Sequence, residues 1–116
     1  MPLQVAIKDS CCPASTKLVK IFEGANYRAT AARLAEQPCG NHADELETSI
    51  MLAIAPETVD MHMAQTCTCK MTSGPLNRSR LNEPNYSPNG VYGDPRLASK
   101  EKGELFVQAM LNDLLV

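Results

Sequence analysis

His42, Glu45 and Glu47 are the residues whose types and spacing could do chemistry. An imidazole and a carboxylate on one face can bind a divalent metal, or divide the work between ligand and proton carrier. If a helix begins near Ala43, His42 and Glu45 stand one turn apart and share a face with Ser49. Glu47 then points well away from Glu45 and reads as a supporting or structural residue. The plainer alternative is an acidic helix start capped by Asn41, with His42 exposed, because helix N-termini attract acids. The thiols offer a second constellation. Cys39 and His42 are separated by two residues and Cys67 and Cys69 by one, so together they could hold one zinc. The C-x-C spacing departs from the usual finger, and reduced thiols on a loop are the ordinary reading. Cys11-Cys12 is a poor chelate, and His62, between Met61 and Met63, reads as a surface or partly buried residue.

The elements that must position these residues follow from pattern. NHADELETSIMLAIAPETV predicts a helix with Asn41 as a possible N-cap, acids in its first turn and Leu46, Ile50, Ala53 and Ile54 on one stripe. Pro56 ends it. Upstream, Leu3 to Ile7 is a short apolar run that predicts a strand. A helix is expected over Leu18, Val19 and Phe22, stopped by Gly24, and another from Tyr27 to about Glu36, broken by Pro38-Cys39-Gly40. Residues 65–90 are rich in Thr, Ser, Asn, Gly and Pro and predict a long irregular loop, with a turn at Asn89-Gly90. The last helix starts with Ser99 as N-cap and Glu101 in its first turn, and carries a broad apolar face. Gly103 inside it costs about 1 kcal/mol against Ala and points to a close backbone approach. A partner subunit or a missing half-domain could cover the apolar face.

Two blocks of this sequence resemble the creatininase (creatinine amidohydrolase) family. His42, Ala43, Glu45, Glu47, Thr48 and Ser49 stand in register with that family's HAGExETS segment, which precedes an apolar helix and a Pro, here Pro56. Gly90, Val91, Gly93, Asp94, Pro95, Ala98, Ser99, Glu101, Lys102 and Gly103 resemble its C-terminal G-V-x-G-D-P…A-S…E-K-G pattern. Together they cover residues 41–116 apart from the intervening loop; residues 1–40 show no clear match. The resemblance implies an α/β three-layer αβα sandwich, here partial, in one apparently truncated domain over 1–116. It also implies a hydrolase of non-peptide carbon–nitrogen bonds in small amides, dependent on zinc or manganese, and a homo-oligomer. Within it, Glu45 matches a metal ligand and His42 a proton carrier or orienting residue. Asp44 replaces the family's Gly, which adds a charge beside Glu45 and bears on the turn. The family's upstream E-H-G-P-H-L-P and Asn-Gly-His-Gly-Gly-Asn motifs, which carry further ligands, are not found. An inactive scaffold or oligomerisation module derived from the family is therefore the alternative.

Composition narrows the classes. The chain has 116 residues, formal charge −2, no Trp, two His and five Cys. There is no basic stripe for nucleic acid, no apolar run long enough for a bilayer and no signal-like N-terminus, so the expectation is a cytoplasmic protein with reduced thiols. Without G-x-G-x-x-G, P-loop or G-x-S-x-G motifs, nucleotide binding and serine hydrolysis lack their signatures.

Overall fold

The computed structural model describes residues 15, 17–67 and 71–115. Three α-helices carry these residues: α1 (Ala25–Leu34), α2 (Glu45–Ile54) and α3 (Lys100–Leu114). Short 3-10 turns lie at Pro56–Thr58, Met61–Met63 and Pro95–Leu97. α3 is the central element and packs on both α1 and α2.

The core forms where the three apolar stripes meet. Tyr27 of α1 and Phe106 and Met110 of α3 are buried, with Ala31, Leu34, Leu46 and Ile50 packed against them. The Tyr27 and Phe106 rings stand 5.9 Å apart and tilted, and Phe22 meets the edge of Tyr27 at 5.5 Å. Burial pushes the Tyr27 pKa up to about 12, helped by the negative charges of Asp44 and Glu47. The N-terminus of α1 is held by α3: Asp113 accepts hydrogen bonds from the Asn26 and Tyr27 amides, both at 2.9 Å. These bonds hold its carboxyl below the ordinary carboxylate range.

Several expected elements appear, and some are displaced. The helix expected from Tyr27 starts two residues earlier, at Ala25, and the Ser99 cap is present, its hydroxyl accepting from the Lys102 amide at 3.2 Å. No helix forms around Leu18 to Phe22; Leu18 is 62% exposed, and Gly24 caps the start of α1 instead of ending a preceding helix. Val19 and Phe22 are also exposed, at 39% and 48%, so the stripe gains too little burial to hold a short helix. The cap of α2 is Asp44, not Asn41: its carboxylate accepts from the Leu46 and Glu47 amides at 3.1 and 3.0 Å. The helix therefore begins after His42.

Among the described residues there is no regular strand, only isolated bridges at His42–Tyr92, Cys67–Gly93 and Asn77–Tyr86. The three-layer sandwich is thus not seen in them, and the strand expected over Leu3 to Ile7 lies outside the described residues. The loop following Gln65 is largely irregular, as expected, with its turn at Asn89-Gly90. Residues 68–70 are not among those described. No helix of the described residues is long and apolar enough to cross a membrane.

Candidate functional site

Glu45 opens α2 and is fully buried. Its Oε1 meets the Lys102 ammonium at 2.6 Å and the Glu36 amide at 3.1 Å. Its Oε2 accepts from the Glu36 and Gln37 amides at 2.9 and 2.8 Å. Both oxygens are thus taken by N–H donors, and they face the segment after α1. Lys102 also bonds Glu36 and the Leu97 carbonyl. Burial alone would lower the Lys102 pKa, but the hydrogen bonds and charges of Glu36 and Glu45 outweigh it and hold the pKa above the ordinary lysine value.

Further contacts tie the two sequence blocks together here. The Ser49 hydroxyl donates to the Glu45 carbonyl at 2.6 Å and accepts from the Ser99 amide at 3.1 Å. Gly103 lies flat against the Ser49 backbone, where a Cβ would stand 2.5 Å from the Ser49 carbonyl carbon and 2.9 Å from the Ala53 methyl. Gln37 latches the remaining segment. Its Oε1 accepts from the Glu45 and Asp94 amides at 3.2 and 3.0 Å, and its Nε2 donates to Asp44 at 2.7 Å. Gly93 packs into this joint with φ +134°, its missing Cβ leaving room for Asp44 and Gln37. Glu45, Ser49, Ser99, Lys102 and Gly103 thus form one helix–helix joint.

His42 lies elsewhere. It precedes α2 and pairs through its backbone with Tyr92. Its ring Nδ1 stands 3.7 Å from Glu47 Oε2, and both side chains are partly exposed. The structure brings His42 together with Glu47, whose carboxylate is steadied by the Ala43 amide at 2.6 Å. This is close to a capping box, reaching one residue further back than usual. Ala43 between them has φ +47°, a left-handed conformation that costs a non-glycine residue roughly 1–2 kcal/mol. Strain of this kind gathers at functional positions. Spacing alone pairs His42 with Glu45 and leaves Glu47 a supporting residue because it starts the helix near Ala43, two residues before Glu45. The cap signal at Asp44 would have corrected it.

Glu47 borders an open cleft of about 430 Å³. α2 contributes Glu47 and Met51 to its lining, and the segment after it Val59, Asp60, Met61 and Met63. Glu45 is not among the lining residues. Asp60 caps the 3-10 turn beside it, accepting from the His62 amide at 3.0 Å. His62 itself is exposed. Cys39 is exposed and Cys67 half-buried, and Cys69 lies outside the described residues. Among the described residues no group of three or more His, Cys, Asp or Glu side chains could hold a metal. The Cys/His zinc module is therefore not assembled in them. His42 and Glu47 offer two donors, which is part of a metal site and not a whole one.

The family model for creatininase, creatinine amidohydrolase, matches residues 5–116. The match takes in residues 5–40, where the motifs themselves show no clear resemblance. No curated protein matches. The fold is similar to solved creatininases. A structure described as creatininase Mn superposes with TM-score 0.67 at 20% identity, over 96% of this chain and 45% of that one. A Trp-to-Phe mutant creatininase of Type II gives TM-score 0.67 at 20% identity, over 97% and 46%. A Glu-to-Gln mutant creatininase complexed with creatine gives TM-score 0.67 at 21% identity, over 97% and 47%. The chain spans about half the length of these structures. With its family model covering nearly the whole sequence, the chain belongs to the creatininase family.

Proposed function

We propose that this chain carries one side of a metal-dependent amidohydrolase site, with Glu47 as the carboxylate facing the metal and His42 beside it as the proton carrier or orienting residue. The observation that carries this reading is the His42–Glu47 pair, 3.7 Å apart, with Glu47 at the border of the cleft. Glu45, which the sequence resemblance makes a metal ligand, has both oxygens engaged by Lys102 and two backbone amides. Recruiting it to a cation would take from Lys102 one of its two carboxylate partners, leaving Glu36 and the Leu97 carbonyl, and would free the Glu36 and Gln37 amides from their acceptor. Glu45 instead serves to hold α2, α3 and the segment after α1 in register.

The substrate class is a small amide, cleaved at a non-peptide carbon–nitrogen bond, and the metal zinc or manganese. One neighbour is described with Mn. A divalent ion supplies charge stabilisation at the amide carbonyl and lowers the pKa of water. This chain's residues contribute a fixed carboxylate, an imidazole able to hold or pass a proton at Nδ1 or Nε2, and a partly apolar wall. A homo-oligomer in the cytoplasm is the assembly and location expected of it.

Metal content by elemental analysis, with thermal unfolding measured on the same samples, tests the assignment. Glu47→Gln is expected to lose metal and keep its unfolding temperature, whereas Glu45→Gln is expected to lose stability first. Metal lost on Glu45→Gln at unchanged stability would return the ligand role to Glu45. A second reading, a non-catalytic scaffold, is favoured by the presence of only two clustered donors among the described residues. It predicts no metal and no hydrolysis in the wild-type chain, even as an oligomer.

A further inference from the structure

The cleft beside α2 carries an inference for the metal-free chain that goes beyond hydrolysis, since Glu47 serves either a metal or an organic cation at one time. Its volume of about 430 Å³ falls within the range of small-molecule sites. Its walls are largely apolar and unusually rich in thioether: Met51 from α2, and Met61 and Met63 from the facing 3-10 turn, with Val59 between. Two carboxylates border it, Glu47 and Asp60, and no Lys or Arg lines it among the described residues.

Each carboxylate has one oxygen committed to the protein. Glu47 Oε2 accepts from the Ala43 amide and Asp60 Oδ1 from the His62 amide. These bonds fix the two groups at the ends of α2 and of the 3-10 turn without neutralising them. His42 is the nearest ionisable base to Glu47, at 3.7 Å, and stands outside the cleft lining. A compact cation with an apolar surface satisfies both features of such a cleft. Its alkyl groups pack on flexible, polarisable Met side chains, which adapt to the shape they receive, and its charge meets two carboxylates, Asp60 exposed and Glu47 partly exposed, at the rim of the cleft. A neutral ligand of the same shape gains only the first term, and an anion is repelled.

We infer that this cleft binds a small alkylated ammonium ion, seated on Met51, Met61 and Met63 and held by Glu47 and Asp60.

The test is methyl NMR of the full chain with labelled methionines, titrated with choline and with its neutral carbon isostere, in which a tert-butyl group replaces the trimethylammonium. The core Met110 methyl serves as the reporter of an intact fold. Choline is expected to shift the Met51, Met61 and Met63 signals and leave Met110 in place. The isostere is expected to bind at least about ten-fold more weakly. Asp60→Asn and Glu47→Gln keep the amide-accepting oxygens, and each is expected to weaken choline about ten-fold, equivalent to about 1.4 kcal/mol. Equal response to choline and its isostere overturns the inference in favour of a merely apolar groove. So does the absence of any shift in a chain whose Met110 signal is native, or undiminished binding in both variants. Because the readout is binding, a chain that hydrolyses nothing can still pass, and a metal-loaded hydrolase can still fail.

Discussion

Gly103→Ala sets helix propensity against packing, and the two predict opposite signs. In an isolated helix the change is worth about 1 kcal/mol in favour of Ala. Here the new methyl would overlap the Ser49 carbonyl oxygen and come within 2.5 Å of its carbon and 2.9 Å of the Ala53 methyl. Carbon atoms rest at about 3.5–4.0 Å, so α2 and α3 must separate by roughly 1 Å. The backbone of Ser49 cannot swing aside as a flexible side chain would. Overpacking of this kind costs about 1–3 kcal/mol and sometimes more. The separation would also stretch the Ser99–Ser49 hydrogen bond, worth about 1 kcal/mol, and disturb the packing of Phe106. Taking the upper part of the overpacking range, adding the hydrogen bond and subtracting the propensity gain leaves a net loss of about 3 kcal/mol. Against a typical stability of about 5–15 kcal/mol this is large. In urea, with a slope near 1.5 kcal/mol/M, the midpoint should fall by about 2 M. A midpoint equal to or above the wild type would mean that propensity governs this position and that the close approach of α2 and α3 is wrong.

Two other outcomes follow from the same joint and the core beside it. Glu45→Gln should destabilise the chain by about 2–3 kcal/mol, discounted from the fully buried case because Glu36 keeps water contact, while Glu45→Gln combined with Lys102→Met should cost less than the two single losses summed. Urea midpoints of the single and double variants decide this, and additive losses would show that the ion pair is not coupled. Tyr27, with its pKa raised to about 12, should ionise well above the ordinary tyrosine range in an ultraviolet titration, and Tyr27→Phe should remove that late step. Its folded pKa lies above the usual value of about 10, so the stability it contributes is complete below pH 10 and is lost as pH rises towards 12. Tyr27→Phe should remove that part of the alkaline slope. A slope unchanged by the substitution would assign it to other groups, of which Lys102, with its own raised pKa, is the first to test.

Much of this was legible in the residues alone. Ser99 followed by Glu101, Pro56 after an apolar stripe, and Gly90 after Asn89 are local signals, and each marked its boundary because caps and turns are settled within a few residues of chain. The two motif blocks identified the family for the same reason: they are contiguous strings. Local signals also misled. The apolar spacing of Leu18, Val19 and Phe22 points to a helix that does not form, and Asn41 reads as the cap that Asp44 in fact supplies.

What the sequence could not decide is which carboxylate is buried and which is open. Glu45 and Glu47 are the same side chain two residues apart in one acidic run. Lys102 lies 57 positions from Glu45 and reaches its carboxylate only because Gly103 lets α3 close on α2. Asp44 starts the helix after His42, which turns Glu47 towards the imidazole and the cleft. Residue types announced that a His and two carboxylates were available. The docking of α3 assigned one carboxylate to hold the fold and left the other facing the cleft, because ion pairing over long sequence separation is decided by tertiary contact and leaves no periodic trace in the chain.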